Sequence, residues 1–363
     1  MTMRKLIFIL IAITLALGAC STARQKLTPQ GNVNFKTAQV YYAQQNVEKA
    51  EEFYLKVLAD NPDHAISMRR MADINLHKGE KIPDKTVEYN KEAFRLYDAA
   101  IKTYESWDAL TDEEKMDIRD MTRRKDSAWV RVFSAGEKAY TAGNTQEAKD
   151  IFELAGTLDP ERPQPQIRLK DIYLKDLEDP TRAEAILLQL VQKDPENLPY
   201  LLETGAFYFN QENYNEAAKF FERAKVIAPT DIDNLQNLSY AYFELKDYDK
   251  AMTATQLALA LEPNNIDILD NAKNIALVKG DKQLSITYLE QLIERRSMEQ
   301  DFADITMKLN EVEDYAKLIT YARKWHEWDD TNKYPVQYLI LAAQKLGDDA
   351  LMKTYQDILK VMP

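Results

Sequence analysis

The chain has 363 residues, only nine of them glycine, and a formal net charge of −12. Ala, Leu, Lys, Glu and Gln dominate, and β-branched clusters bounded by turn residues are scarce, so the sequence predicts an all-α protein. Negative charge spread over a large surface disfavours a nucleic-acid-binding protein, because phosphates require patches of Lys and Arg.

The first nineteen residues have the pattern of a secretory leader. Arg4 and Lys5 precede an apolar run at residues 6–17, which is too short to span about 30 Å of hydrocarbon. The sequence Leu-Gly-Ala-Cys at 17–20 resembles a bacterial lipobox, although Gly is less usual than Ala or Ser at its second position. The resemblance implies a signal peptide over residues 1–19 and a multiply acylated Cys20 that anchors the protein to a bilayer.

Cys20 is the one cysteine of the chain, so no intramolecular disulfide can form. An ordinary signal peptide cut after Ala19, or an uncleaved anchor, is the alternative interpretation. Lipidation is favoured because the single cysteine stands where acylation would use it. By the same resemblance, Ser21 instead of Asp implies transport to the outer membrane of a diderm cell, with the protein facing the periplasm. Residues 20–33 are polar and predict a lipidated N-terminus followed by a flexible tether.

From residue 34 onwards the sequence repeats itself. YNEAAKFFERAKVIAP at 214–229 and YDKAMTATQLALALEP at 248–263 lie 34 residues apart, and 47–62, 145–160 and 180–195 have related patterns. Spacings of three and four place a small Ala and a large residue on one helix stripe, and the final Pro ends the helix. The position of the large residue is occupied by Tyr54, Phe152, Leu187 or Phe221, and in one copy by the smaller Thr255.

A second helical segment precedes each of these stretches and carries a small residue, such as Gly205 or Ser239, where its partner helix must come close. The period and the pattern resemble the tetratricopeptide repeat. The resemblance implies a right-handed superhelix, an α-solenoid, of about seven to nine stacked helix pairs over residues 34–363. A generic helical bundle with accidental periodicity is the alternative. The clearest copies span 31–64, 129–162, 198–231 and 232–265, weaker ones span 164–197 and 266–299, and degenerate pairs are expected at 64–104, about 300–331 and 332–363.

An irregular insertion at about 80–128 interrupts the repeats. The helix pattern resumes late, at Ala93, Tyr97 and Ala100, and Thr111 followed by three acids predicts a capped helix start. The sequence therefore predicts long helices here that project from the solenoid.

Two side-chain clusters lie outside the repeat pattern. The basic cluster is predicted to be a solvated helix face, with contact to a partner or a lipid headgroup as the alternative. The aromatic cluster is predicted to pack in the core and cap the C-terminal end rather than to form a ligand platform. The basic residues are Arg119, Arg123, Arg124 and Lys125, and the aromatic residues are Tyr321, Trp325, Trp328 and Tyr334.

By resemblance to tetratricopeptide repeats, the first helix of each pair lines a concave binding surface. Aromatic residues recur there at one register, which favours a peptide groove with Gln and Asn fixing the peptide backbone. The alternative, that aromatics are simply common in this repeat, stays open. The subclass that grips a C-terminal carboxylate uses Lys and Asn where this chain has Leu202, Ala206, Gln236 and Tyr240, so that mode is not expected. The predicted groove residues are Phe35, Gln39, Tyr42, Phe133, Glu137, Tyr140, Leu202, Phe209, Gln236, Tyr240, Phe243, Asp270 and Asn274.

Catalytic and metal-binding motifs are scarce in this sequence. No two of its histidines, His64, His77 and His326, are spaced i, i+4, and no Gly-rich phosphate loop or Gly-x-Ser-x-Gly elbow occurs. The sequence predicts no enzyme, no metal and no cofactor. We expect a non-catalytic, membrane-anchored scaffold that binds other proteins or peptides in the bacterial envelope, in the assembly of an envelope complex. The alternative is an accessory subunit or binding protein of a polysaccharide, secretion or pilus system with a glycan or small-molecule ligand.

Overall fold

The computed structural model describes residues 26–362, and the predicted leader and Cys20 lie outside them. All regular structure in the described residues is helical, as the composition predicts, and a 3₁₀ turn at Pro83–Lys85 joins the third and fourth helices. The helices are α1 (Pro29–Ala43), α2 (Val47–Asp60), α3 (Ala65–Lys81), α4 (Thr86–Glu105), α5 (Asp112–Thr141), α6 (Thr145–Leu158), α7 (Gln164–Lys175), α8 (Pro180–Lys193), α9 (Leu198–Asn210), α10 (Tyr214–Ile227), α11 (Ile232–Glu244), α12 (Tyr248–Leu261), α13 (Ile266–Lys279), α14 (Lys282–Arg295), α15 (Glu299–Glu311), α16 (Tyr315–Trp328), α17 (Lys333–Leu346) and α18 (Asp349–Val361).

The chain divides into two compact units between Asp179 and Pro180. Unit 1 contains α1 to α7, and unit 2 contains α8 to α18. Within each unit every helix packs on the next one in chain order, so consecutive hairpins stack as a row. This stacking is what a repeat solenoid requires, because a single hairpin cannot bury its own apolar face.

Local sequence explains where the helices begin and end. Asn or Asp side chains cap many N-termini by accepting a backbone N–H from the first turn. Helices α2, α6, α10 and α12 each end two residues before a proline, which disfavours helical backbone in the residue that precedes it. The capping residues of this type include Asn46, Asn197, Asn213, Asp231, Asp247, Asn265, Asp281, Asp314, Asn332 and Asp348.

Small and large residues interlock within the hairpins as the repeat pattern predicts. A Cβ placed on Gly205 of α9 would lie 2.6 Å from Cε1 of Phe221 in α10, whose ring is buried. Thr255 breaks the large-residue pattern because this position is polar. Its hydroxyl lies 2.7 Å from the Ser239 hydroxyl, and the Asn271 side chain donates to both. The buried hydroxyl and amide groups satisfy one another and link α11, α12 and α13.

The predicted tether is wrong from Pro29 onwards, because α1 begins there. Pro29 occupies the first helical position, and the Thr28 hydroxyl accepts a hydrogen bond from the Gly31 N–H at 2.9 Å. Gly31 and Ala38 are buried on the face that packs on α2. The polar composition of this segment reflects the outer face of a helix and not a flexible linker.

The long helices predicted around residues 80–128 are present, since α4 has 20 residues and α5 has 30. Thr111 and Glu114 form a capping box at the start of α5, as expected. The expectation that this region projects is wrong, because the first half of α5 is tied to α3, where Arg69 pairs with Asp117 and lies 3.3 Å from Asp120. Neither α5 nor any other helix within residues 26–362 combines the length and apolar composition needed to cross a membrane.

Ion pairs explain why α5 lies against its neighbours. The Arg124 Nε donates to Asp120 at 2.8 Å, and its Nη1 lies 3.5 Å from Asp73 in α3. Asp73 also accepts from the Tyr97 hydroxyl of α4 at 2.6 Å, and Lys125 pairs with Asp98 at 3.0 Å. Two members of the predicted solvated basic face, Arg124 and Lys125, therefore form ion pairs between helices of unit 1 and are only partly exposed. The other two, Arg119 and Arg123, are exposed.

Candidate functional site

The first helices of three hairpins lie side by side in unit 2. Helix α9 contacts α11, and α13 is joined to α11 by the hydrogen bond from Asn271 to Ser239 at 3.0 Å. More than half of the predicted groove residues therefore lie on adjacent helices. These residues are Leu202 and Phe209 on α9, Gln236, Tyr240 and Phe243 on α11, and Asp270 and Asn274 on α13.

The recurring aromatic register serves mainly to pack the hairpin turns. Phe209 meets Tyr214, the first residue of α10, edge-on at a centroid distance of 5.2 Å. Phe243 meets Tyr248 in the same way at 5.5 Å. Both phenylalanines are half-buried by these contacts, whereas Tyr240 is 40% exposed. Of the predicted aromatic residues in unit 2, Tyr240 is therefore the most accessible to a ligand.

Asp270 is half-buried and is paired with two cations. Its carboxylate lies 2.7 Å from the Lys273 Nζ and 2.8 Å from the Arg296 Nη1. Burial alone would raise the pKa of Asp270, but the hydrogen bonds from Arg296 and Lys273 outweigh burial and lower it. The ionised carboxylate thus stabilises unit 2 and is not free for a ligand.

Gln236, Tyr240 and Asn274 differ from Asp270, because no side chain within residues 26–362 is hydrogen-bonded to them. Asn274 is exposed and Gln236 is half-buried. An exposed phenol ring on α11, with one amide a turn earlier on the same helix and a second on the adjacent α13, can pack against an apolar side chain and exchange hydrogen bonds with a peptide backbone.

Met307 on α15 is a member of this surface that the sequence analysis missed. It is 41% exposed and follows the buried Thr306, as Tyr240 follows the buried Ser239. Helix α15 is tied to α13 by Asp301, which pairs with Lys273 at 3.3 Å. The repeat pattern did not point to Met307, because the interval from Tyr240 to Met307 is 67 residues, one short of two full repeats.

The predicted aromatic residues of unit 1 are packed within their own hairpins. Phe35 and Tyr42 both contact the buried Tyr54, at centroid distances of 6.2 and 6.3 Å. Phe133 lies 5.3 Å from the ring of Phe152, and Phe35, Tyr42 and Phe133 are all half-buried. These rings contribute to the core of unit 1.

The predicted polar residues of unit 1 are mostly engaged as well. Glu137 accepts a hydrogen bond from Arg168 at 2.6 Å, and the Tyr140 hydroxyl donates to Asp176 at 3.0 Å. Gln39 is exposed. Most of the predicted groove residues in unit 1 therefore make internal contacts. In unit 2, Gln236, Tyr240 and Asn274 do not.

The three histidines lie on separate elements. His77 is exposed, and His326 in α16 is half-buried. His64 precedes α3, and its Nδ1 accepts a hydrogen bond from the Ser67 N–H at 3.3 Å. Within residues 26–362, no three His, Cys, Asp or Glu side chains are grouped as a metal ion requires.

The His64 cap is expected to make stability depend on pH. Burial lowers the pKa of His64 below its ordinary value of 6.5, because the charged ring is disfavoured there. The contribution of the neutral ring to the free energy of unfolding is complete above about pH 6.5 and is lost as pH falls towards the lower folded-state pKa.

His64→Asn keeps a capping side chain that does not titrate. Its stability relative to the parent is therefore expected to be about 1 kcal/mol higher at pH 5.5 than at pH 7.5. Urea midpoints of both proteins at the two pH values measure this difference, and His77→Asn is the control. An unchanged difference between His64→Asn and the parent would contradict the cap.

Comparison with known families agrees with this architecture. Residues 232–265 match one family model described as tetratricopeptide repeat, and residues 35–81 and 172–232 match a second model of the same description. The chain contains tetratricopeptide repeats. Tetratricopeptide repeat proteins typically bind other proteins and generally serve as non-catalytic scaffolds.

Solved structures of tetratricopeptide repeat type are similar to this protein at low identity. A MamA structure from Desulfovibrio magneticus RS-1 is 20% identical with a TM-score of 0.40, covering 46% of this chain and 94% of that one. Pseudomonas aeruginosa PilF is 17% identical with a TM-score of 0.38, covering 61% and 97%. The C-terminal part of a repeat-containing protein from Cytophaga hutchinsonii is 19% identical with a TM-score of 0.46, covering 70% and 99%. No curated protein matches the sequence significantly.

Proposed function

We propose that this tetratricopeptide repeat protein is a non-catalytic scaffold whose unit 2 holds a peptide segment of another protein. The binding surface is the Tyr240 face, defined by Leu202, Gln236, Tyr240, Asn274 and Met307. The observation that carries the proposal is that Tyr240, Gln236 and Asn274 have no hydrogen-bonded side-chain partner within residues 26–362, whereas Glu137 and Tyr140 in unit 1 do. Exposed Tyr and Met side chains are typical anchors of protein interfaces.

The chemistry of the Tyr240 face favours an apolar segment without strong negative charge. None of its five members is Lys or Arg, so none of them can form an ion pair with a ligand carboxylate. Tyr240 and Met307 offer apolar surface, and Gln236 and Asn274 can pair with main-chain groups. A net charge of −12 adds a preference for a neutral or basic partner.

Crosslinking in intact cells tests the face directly. We expect a photoreactive phenylalanine at Tyr240 to capture a discrete polypeptide. The same group at Leu257, which is 46% exposed on the second-helix side of the same unit, should capture less of it. Equal yields at the two positions would contradict a specific face, and recovery of a glycan or metabolite without a polypeptide would contradict the scaffold.

Membrane anchoring is the second part of the proposal, and it rests on the lipobox-like sequence at 17–20. Several acyl chains on Cys20 would hold the protein at the bacterial envelope, in an outer membrane facing the periplasm, where it would assist assembly of an envelope complex. We expect Cys20→Ala to move the protein from the membrane fraction to the soluble fraction. Full retention of the variant in washed membranes would refute lipid anchoring and leave the Tyr240 face unaffected.

A further inference from the structure

Unit 2 carries a second exposed surface, at the edge where α15 begins, α16 ends and α17 begins. Met298, Trp328 and Tyr334 are 47%, 46% and 64% exposed there. Trp328 is unusual among the four tryptophans, since Trp129 and Trp325 are buried. Large exposed aromatics are the residue type that anchors protein interfaces most often. We call Met298, Trp328 and Tyr334 the Trp328 edge.

Fixed contacts hold this edge together. The Trp328 ring lies against the buried Phe302 of α15 at a centroid distance of 6.0 Å. The Asn332 amide donates to Glu299 at 2.9 Å, next to Met298, and its oxygen accepts from the Tyr334 N–H at 2.9 Å. The loop before α17 is therefore tied to the start of α15, and the three exposed side chains belong to one preformed surface.

Three carboxylates lie close to Trp328 in sequence, at Glu327, Asp329 and Asp330. Glu327 and Asp330 are exposed on either side of Trp328 in sequence. Asp329 accepts from the Thr331 N–H and hydroxyl at 3.0 and 2.6 Å, and these hydrogen bonds lower its pKa and keep it ionised. Lys333 is the only Lys or Arg among residues 325–334.

We propose that the Trp328 edge binds a cationic segment of a partner protein, with Arg or Lys side chains on the Trp328 and Tyr334 rings and paired with Glu327 and Asp330. An aromatic face attracts a cation through its quadrupole, and flanking carboxylates add charge complementarity. The same carboxylates disfavour an anionic lipid surface or an acidic peptide. This surface is separate from the Tyr240 face and does not depend on it.

The test uses the purified full chain and two probe peptides, an octapeptide of alternating Arg and Ala and its counterpart of alternating Glu and Ala. Binding is followed by tryptophan emission and by calorimetry at physiological salt, where general electrostatic attraction is screened. We expect the Arg peptide to change the emission of Trp328, isolated as the difference between the parent and Trp328→Phe. We expect about tenfold weaker binding in Trp328→Ala and in Tyr334→Ala. Tyr240→Ala should bind as tightly as the parent.

Tyr334→Ala is the more secure variant, because Tyr334 is 64% exposed while Trp328 packs on Phe302. Its melting temperature should match that of the parent. Unchanged affinity of Tyr334→Ala would show that the peptide follows the overall negative charge and would overturn the proposal. Binding of the Glu peptide, or protection of Trp328 by a neutral oligosaccharide and not by the Arg peptide, would also overturn it.

Discussion

Replacing Asp301 by alanine is expected to lower the free energy of unfolding by about 3–5 kcal/mol. Asp301 is 1% exposed. Its carboxylate accepts from the Arg296 Nε at 2.9 Å and from the Lys273 Nζ at 3.3 Å. Together with Asp270 these groups form a cluster of two cations and two anions, in which Asp301 and Lys273 are buried and Asp270 and Arg296 are partly buried. Truncating one anion leaves an uncompensated positive charge in a poorly solvated site, and that penalty dominates the loss.

Asp357→Ala is the matched control for Asp301→Ala. Asp357 also pairs with a lysine, Lys360 at 2.8 Å, but the pair is exposed on α18. Water solvates both of these ions already, so little change in stability is expected. Urea unfolding followed by circular dichroism compares the two variants, with the slope checked for a change in the unfolded state. A loss in Asp301→Ala no larger than that in Asp357→Ala would show that this cluster does not stabilise unit 2.

Gly205→Ala is expected to destabilise the protein by about 2 kcal/mol, although alanine is the better helix former. A Cβ at this position would lie 2.6 and 2.7 Å from two ring atoms of Phe221. The ring cannot move aside, because Phe221 is 1% exposed within the hairpin of α9 and α10. Overpacking therefore outweighs the gain of about 1 kcal/mol in helix propensity.

Gly156→Ala in α6 is the matched control for Gly205→Ala. Its nearest neighbours would be Gln166 at 3.4 Å and Pro165 at 3.6 Å, which are ordinary contacts. We expect this variant to be at least as stable as the parent. In a Gly205→Ala background, Phe221→Leu should restore part of the loss by making room for the methyl group. Equal stability of the two glycine variants would contradict the close approach of α9 and α10.

The repeat period made most of the fold predictable. Ala217 and Ala251 are both buried, as their shared position in the repeat requires. The capped start of α5 could also be predicted, because the Thr111 and Glu114 capping box depends on neighbours three residues apart. Such features depend on residues a few positions apart, so they can be predicted from the sequence.

Predictions that needed contacts across elements failed or stayed open. The projecting insertion was wrong because Arg124 of α5 reaches Asp73 of α3, a residue 51 positions earlier. Asp270 was placed in the groove by its register, but Arg296 and Lys273 bind it. Trp325 and Trp328 lie three residues apart on α16, yet Trp325 is buried and Trp328 is 46% exposed.

By itself, the sequence determined the helical class, the repeat family and the pairing of neighbouring helices, because periodic apolar spacing and capping act over a few residues. It also supplied the lipobox-like leader, which lies outside the described residues. Only the tertiary structure decided which candidate side chains remain available, since hydrogen bonding and ion pairing depend on residues distant in the chain. For that reason Tyr240 and Trp328 became candidate contact sites, while Glu137, Tyr140 and Asp270 proved to be internal supports.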